Sequence, residues 1–390
     1  MDNIEAKKAA ADLIYLVSCA VNGEKTDPKK CAAMNLKHIY KLALFHGLTI
    51  AACNALEQSV KLPEYLFQSK YQIIRRLSLF NIERKKVMNK LEENGIWYLP
   101  LKGAVIREMY DNPALREMSD NDILFDSERA KDVKRIMTEL GFKCTKFGAS
   151  NHDVYSKSQN VLFEMHRSLF SQYKRPELYA LYADIKDKLV LDENRKYGYH
   201  MTPEDFYAYL LCHMYKHYSQ GGVGLRSLLD IYIFNKKQGA SLNWEYLGAE
   251  LEKQKLTDYE KSVRKLSGKA FTGQPLSEEE QRELDFYSDS NCFGSDENVL
   301  AQKLNNDDSG SAKRSYVKSR IFQSDTVMQE AHPFIYQHKV LYPFWVVFRL
   351  GKAMVTKPKK VIREYKRVKN FKKKDNLGAH NQTIETDSKA

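Results

Sequence analysis

Asp120 and Asp122 stand two residues apart in Ser119-Asp120-Asn121-Asp122-Ile123-Leu124-Phe125. On an extended chain residues i and i+2 point to one face, so the two carboxylates are expected to project together. Like charges that close repel unless a cation neutralises them. Hard divalent ions with oxygen ligands, Mg2+ above all, are the natural partners. A third acid, Glu164, lies inside Val161-Leu162-Phe163-Glu164-Met165-His166. There a period of two puts Leu162, Glu164 and His166 on one face. If that run neighbours the Asp strand, three carboxylates converge, which is a donor set for two-metal phosphoryl chemistry. Solvated turn acids are the plainer meaning of Asp-x-Asp alone. Glu164 tips the balance, because an unpaired carboxylate in an apolar strand is expensive.

Leu101-Lys102-Gly103 precedes the acids at a strand-to-helix junction. The free N–H groups of a helix start can face a phosphate, and Gly103 permits close backbone approach. Lys102 would add a point charge to that phosphate. Arg116 is a further phosphate candidate, although a surface salt bridge explains it equally well. His166 either touches a phosphate or partners a carboxylate. His213 and His217 have the i, i+4 spacing of zinc ligands, but Met214 stands where a metalloprotease needs Glu. A histidine pair packed against the sheet is expected; the other reading has both facing the cleft with Lys216, Arg226 and Asp230. Gly221-Gly222-Val223-Gly224 lacks the Lys-Ser/Thr of a phosphate-binding loop.

The elements that must position these groups follow from periodicity. Residues 1–94 read as helical, with Ile73, Ile74, Leu77, Phe80, Val87, Met88 and Leu91 at helical spacing and Gly95 at a left-handed C-cap. At Ile96-Trp97-Tyr98-Leu99 the pattern turns to strand. A short helix with Val105, Ile106 and Met109 follows, then a strand through Ile123-Leu124-Phe125. Ser127 is expected to cap a helix closed by Gly141, ahead of two strands at 153–155 and 161–166 joined by a hairpin loop at 156–160. Helices resume at Thr202-Pro203-Glu204-Asp205, an N-cap followed by Pro at N1. Residues 272–315 are polar and read as loops and short helices. The fold expected is α+β: a small mixed sheet (95–195) between helical regions 1–94 and 196–350, with a basic, partly disordered tail at 351–390.

Composition narrows the function classes. Among 390 residues, 43% are hydrophobic, which excludes wholesale disorder. The formal charge of +12 is a property of the tail: residues 357–374 carry ten Lys/Arg against Glu364, leaving about +3 for the rest. Phe344, Trp345, Val346, Phe348 and Leu350 adjoin that run, which could contact RNA or an anionic membrane surface. An apolar segment docked on the helical region, trailed by a solvated basic helix, is expected instead. Six cysteines without a Cys-x-x-Cys pair read as reduced thiols. Val340–Phe348 is too short to span a bilayer, and Met-Asp-Asn-Ile-Glu is not a secretory signal, so a cytoplasmic protein is expected.

Strand, Lys102-Gly103, helix, then Arg116-Glu-Met-Ser-Asp120-Asn-Asp122-Ile-Leu-Phe125, then Glu164-Met-His166, resembles the DNA polymerase β-like nucleotidyltransferase superfamily. Within it, the chain resembles the bacterial family labelled uncharacterised nucleotidyltransferase. His213–His217 with Gly224–Asp230, and Tyr342–Arg349, resemble that family's later segments. The resemblance implies that Asp120, Asp122 and Glu164 bind Mg2+ (or Mn2+). It also implies that the Gly103 turn receives nucleotide phosphates. The superfamily places an apolar residue between the two acids, where this chain has Asn121, and Gly or Ser after the turn glycine, where it has Ala104. The expected activity is transfer of a nucleoside monophosphate from an NTP to a hydroxyl or phosphate acceptor, releasing pyrophosphate. The acceptor, whether small molecule, protein or RNA, is not specified. The alternative is a catalytically inactive binding module of the same fold whose basic tail contacts RNA or membrane.

Overall fold

The computed structural model describes residues 3–157, 161–290 and 311–369. The N-terminal region is helical throughout: α1 (Asn3–Asn22), α2 (Pro28–Ala32), α3 (Leu36–His46), α4 (Thr49–Leu56) and α5 (Glu64–Glu93). Local chemistry sets several boundaries. Asp27 and Asn35 accept backbone N–H groups at the starts of α2 and α3. Gly47 and Gly95 take the positive φ that ends α3 and the turn after α5. Along α5, Leu66, Ile73, Leu77, Phe80, Val87 and Leu91 are buried at spacings of three, four and seven, a single stripe.

The sheet has five strands in the order β1-β2-β5-β4-β3. They are β1 (Tyr98–Pro100), β2 (Asn121–Phe125), β3 (Lys143–Lys146), β4 (His152–Lys157) and β5 (Val161–His166). β2 and β5 run parallel; every other neighbouring pair is antiparallel. Helix α6 (Gly103–Ile106) and short 3-10 turns link β1 to β2, and α7 (Ala130–Glu139) links β2 to β3. On the core face Ile123, Phe125, Tyr155, Phe163 and Met165 are fully buried. Each such side chain contributes roughly 1.5–3 kcal/mol.

Three local expectations need correction. The first strand begins at Tyr98 rather than Ile96 and includes Pro100, tolerated because β1 is an edge strand whose outer N–H is not needed. Asp120 lies immediately before β2, which begins at Asn121. The helix before Gly141 is entered through Asp126, whose side chain accepts from Glu128 N–H, rather than through Ser127. Residues 158–160 of the expected hairpin loop lie outside the described residues.

Beyond the sheet come α8 (Pro176–Leu181), a small ladder of β6 (Val190–Leu191) with β7 (Tyr199–His200), then α9 (Pro203–Tyr218), α10 (Leu225–Gln238), α11 (Trp244–Lys253), α12 (Thr257–Ala270) and α13 (Glu278–Asp289). Thr202 caps α9 as expected, accepting from Asp205 N–H at 3.2 Å. Helix α13 is longer than the short pieces expected there, because Ser277 and Glu280 form a complete capping box. One continuous cluster of buried side chains runs from Leu13 to Tyr287. The C-terminal helices are α14 (Ser311–Ile321), α15 (Asp325–Ala331), α16 (Pro333–Gln337), α17 (Tyr342–Thr356) and α18 (Pro358–Lys369). The expected docking of the apolar segment is reversed: of α17 only Val346 is buried, and Phe344, Val347, Phe348 and Val355 face solvent. The end of the chain from Asn376 onward, expected to be disordered, lies outside the described residues.

Candidate active site

Parallel pairing of β2 with β5 sets Asp122 directly beside Glu164. Side chains in parallel register share a face, so these two carboxylates project together on the side away from Ile123 and Met165. Asn121, between the acids, points the other way. It accepts a hydrogen bond from Arg84 of α5 at 3.1 Å and is fully buried, so a polar residue at 121 disturbs neither carboxylate.

The turn after β1 delivers the cation. Leu101 N–H donates to the Asp122 carbonyl at 3.0 Å, which fixes Lys102 alongside. Lys102 has φ +49°, a region where side chains are strained by roughly 1–3 kcal/mol. Its ammonium donates to Asp122 Oδ1 at 2.9 Å. His166 Nε2 lies 2.8 Å from the same oxygen, and a carboxylate at that distance requires the Nε2–H tautomer. His166 Nδ1 is buried without a hydrogen-bond partner among the described residues.

The acids titrate apart. Burial opposes ionisation of Asp122, but the Lys102 ammonium and the His166 N–H hold its carboxyl well below the usual range. Burial and then the charge of Asp122 push Asp120 up to about 6. Glu164 is raised for the same two reasons. Burial disfavours the charge on Lys102, yet Asp122 beside it keeps the amine firmly protonated. A cluster holding more negative charge than its own cations can neutralise is a cation-binding environment. Asp122 and Glu164 offer hard carboxylate oxygens side by side, and Asp120 feels the charge of both.

A residue missed by motif reasoning joins them. His152 on β4 pairs across the strands with His166, and their rings lie 5.1 Å apart. Its Nε2 is 3.8 Å from Glu164 Oε1, and His166 Nε2 is 3.7 Å from Glu164 Oε2. Potential ligand atoms of His152, Glu164 and His166 all fall within 4.8 Å of one another. Burial pushes His152 down to about 3 and also lowers His166, so both rings are neutral; with its Nε2–H given to Asp122, His166 keeps only Nδ1 as a lone-pair donor. Hairpin arithmetic carries this signal: once Lys157 pairs with Val161, His152 must pair with His166.

Helix α9 lies within electrostatic reach of Lys102. Tyr209, His213 and Lys216 recur at helical spacing, and each feels the charge on Lys102. The Tyr209 hydroxyl is buried without a hydrogen-bond partner among the described residues. Lys216 also feels Glu164, and burial lowers its pKa. His213 and His217 pack edge to face, 4.7 Å between ring centres, and burial keeps both neutral. Of the cleft-facing set, Arg226 and Asp230 belong elsewhere. Arg116 is buried and grips Asp230 with Nε and Nη2, at 2.8 and 2.7 Å, with Tyr110 donating to the same carboxylate at 2.8 Å. Arg226 Nη1 donates to the Glu117 carbonyl at 3.1 Å. Arg116 is therefore spent on joining the sheet region to α10, and the phosphate role weighed for it finds no support in this geometry. Gly103 lies at the start of α6, where an added Cβ would meet only ordinary contacts 3.5 Å away, with Arg116 and Met118.

A small mixed sheet with paired acids on adjacent strands, beside a strand-to-helix turn, is the arrangement that the resemblance to nucleotidyltransferases implies. The match of the uncharacterised nucleotidyltransferase family model to residues 32–271 is consistent with that architecture, and the chain belongs to this family. The match takes in most of the N-terminal helices as well as the sheet, and stops short of Tyr342–Arg349. Comparison with curated proteins and with solved structures gave no match.

Proposed function

We propose that the protein is a divalent-metal-dependent nucleotidyltransferase that moves a nucleoside monophosphate from an NTP to a hydroxyl or phosphate acceptor and releases pyrophosphate. The observation that carries this reading is the in-register placement of Asp122 and Glu164 on parallel strands, with Asp120 alongside and Lys102 on the same carboxylate. In this reading Asp120 and Asp122 hold the metal on the triphosphate, and Asp122 with Glu164 serves the acceptor side. The metal, Mg2+ or Mn2+, would supply charge neutralisation on the phosphates and a more acidic acceptor oxygen. The imidazole of His152 beside Glu164 would make the site hospitable to Mn2+ as well as Mg2+.

The chain's own groups divide the remaining work. His166 holds Asp122 in orientation through its Nε2–H. Lys102 neutralises Asp122 in the metal-free protein and would turn its charge toward the triphosphate at the Gly103 turn. Tyr209, His213 and Lys216 lie within electrostatic reach of Lys102, where a hydroxyl and an amine suit the sugar or the acceptor. An inactive scaffold has no reason to keep Asp122 and Glu164 abreast, with Asp120 in reach of their charge, against their repulsion, which favours the catalyst. The test is incubation with each α-labelled NTP, Mg2+ or Mn2+ and an extract of the source cell. A metal-dependent labelled product, absent with Asp122→Asn, is expected; no labelled species with any NTP would overturn the proposal.

A further inference from the structure

Helix α17 is anchored on one side only. Tyr342 donates to the Gln323 carbonyl at 3.1 Å, and Arg349 donates to the carbonyls of Arg320 and Ile321 at 2.8 and 2.6 Å. Trp345 packs on His332 with ring centres 4.3 Å apart, and Val346 is buried. The opposite face carries Phe344, Val347, Phe348, Gly351 and Val355 at spacings of three, one, three and four, an outward apolar stripe. Phe344 is 73% exposed, Val347 72% and Val355 82%. Isolated exposed hydrophobes need no explanation, but a helical stripe of them does.

Cations accompany the stripe. From Lys339 to Lys369 ten Lys/Arg stand against one acid, Glu364. Lys352, Lys357, Lys359, Arg363 and Lys366 make no ion pair among the described residues. Where α17 meets α18, a recess of about 570 Å³ is lined by Thr356, Lys357, Pro358, Lys359 and Arg363. No helix among the described residues is long and apolar enough to cross a membrane, so any lipid contact lies in the plane of the surface.

We propose that the outward face of α17 and the cations of α17 and α18 dock on an anionic phospholipid leaflet. Such a surface offers both halves of what the two helices present: acyl chains for the stripe and headgroup phosphates for the amines. Nucleic acid would answer the charge and leave the stripe in water. A second copy would cover the stripe and bring two cationic surfaces together. The family match ends before α14, so this surface lies outside the matched residues.

The experiment is co-sedimentation of the full chain with vesicles of phosphatidylcholine containing about a third phosphatidylserine, against phosphatidylcholine alone. Binding to the anionic vesicles and little to the neutral ones is expected. Phe344→Ser with Phe348→Ser, both outward and exposed, should weaken binding by about tenfold or more while the melting temperature stays unchanged. Lys359→Glu with Arg363→Glu should do the same, and added salt should weaken binding of the parent. Lack of binding, or equal binding to both vesicles, overturns the proposal. So does anionic binding untouched by the Phe pair, the signature of a general polyanion site such as one for RNA. A dimer in sedimentation velocity that the Phe pair abolishes, without vesicle binding, would assign the stripe to self-association instead.

Discussion

Asp122 is the residue on which the site turns. It is buried, ionised, shared by Lys102 and His166, and abreast of Glu164. Asp122→Asn and Glu164→Gln should each cut metal-dependent transfer by at least about a thousandfold, while circular dichroism shows the fold kept. Asp120→Asn is expected to raise the melting temperature of the metal-free protein by a few degrees, because burial and then the charge of Asp122 oppose ionisation of its carboxyl. Lys102 gives a sharper test. A metal entering the site must displace its ammonium from Asp122, so Lys102→Met should bind Mn2+ more tightly without nucleotide, by calorimetry. It should also bind NTP more weakly. Unchanged affinity for both would show that Lys102 has no part in either equilibrium.

Elements rather than residues explain why sequence reasoning reached some features and missed others. The Asp-x-Asp pair, Glu164 and His166 were legible because two-residue periodicity and the apolar surroundings of β5 show which face they share. That face falls together with β2, as expected. His152 carries no motif and became visible only through the β4–β5 register. Strand β3, Lys143–Lys146, is short, edge-placed and half exposed, so its sequence is dominated by solubility and leaves no strand pattern. Arg116 illustrates the limit for charges: its distance in sequence from Asp230 hides a buried two-pronged pair that fastens α10 to the site's approach. Arg116→Leu should cost about 3–5 kcal/mol in urea denaturation by stranding Asp230. In the fraction that remains folded, NTP affinity should be little changed; a selective loss of NTP affinity with stability intact would return Arg116 to the phosphate site.

Across the whole molecule, buried histidine couples assembly to pH. His46 at the end of α3 faces the Ser288 carbonyl of the α13 end at 3.1 Å and accepts Leu225 N–H of α10 at 3.3 Å, joining three helices that are far apart in sequence. Burial pushes its pKa down to about 4 from the usual 6.5. The unfolded chain therefore binds the proton first, so His46 contributes stability above pH 6.5 that is lost as pH falls toward 4. The full effect is roughly 3 kcal/mol. Melting curves between pH 7 and 4 should fall at least that steeply, since burial also lowers His152, His213 and His217, and His46→Gln should make the fall shallower while lowering stability at pH 7.

At the same scale the proposal assigns the nucleotide to the sheet region and not to the C-terminal tail. Removing residues 357–390 should leave NTP binding intact, since exposed charges are screened within ~8 Å at physiological salt. The measurement that bears most directly on the central claim is calorimetric titration of NTP into the full chain, with and without Mg2+ or Mn2+, for the parent protein and for Asp122→Asn and Glu164→Gln. Binding that requires the divalent ion and disappears in both variants is predicted. Binding that persists without the ion, or in both variants with it, would contradict the assignment of the carboxylate cluster as the nucleotidyl-transfer site.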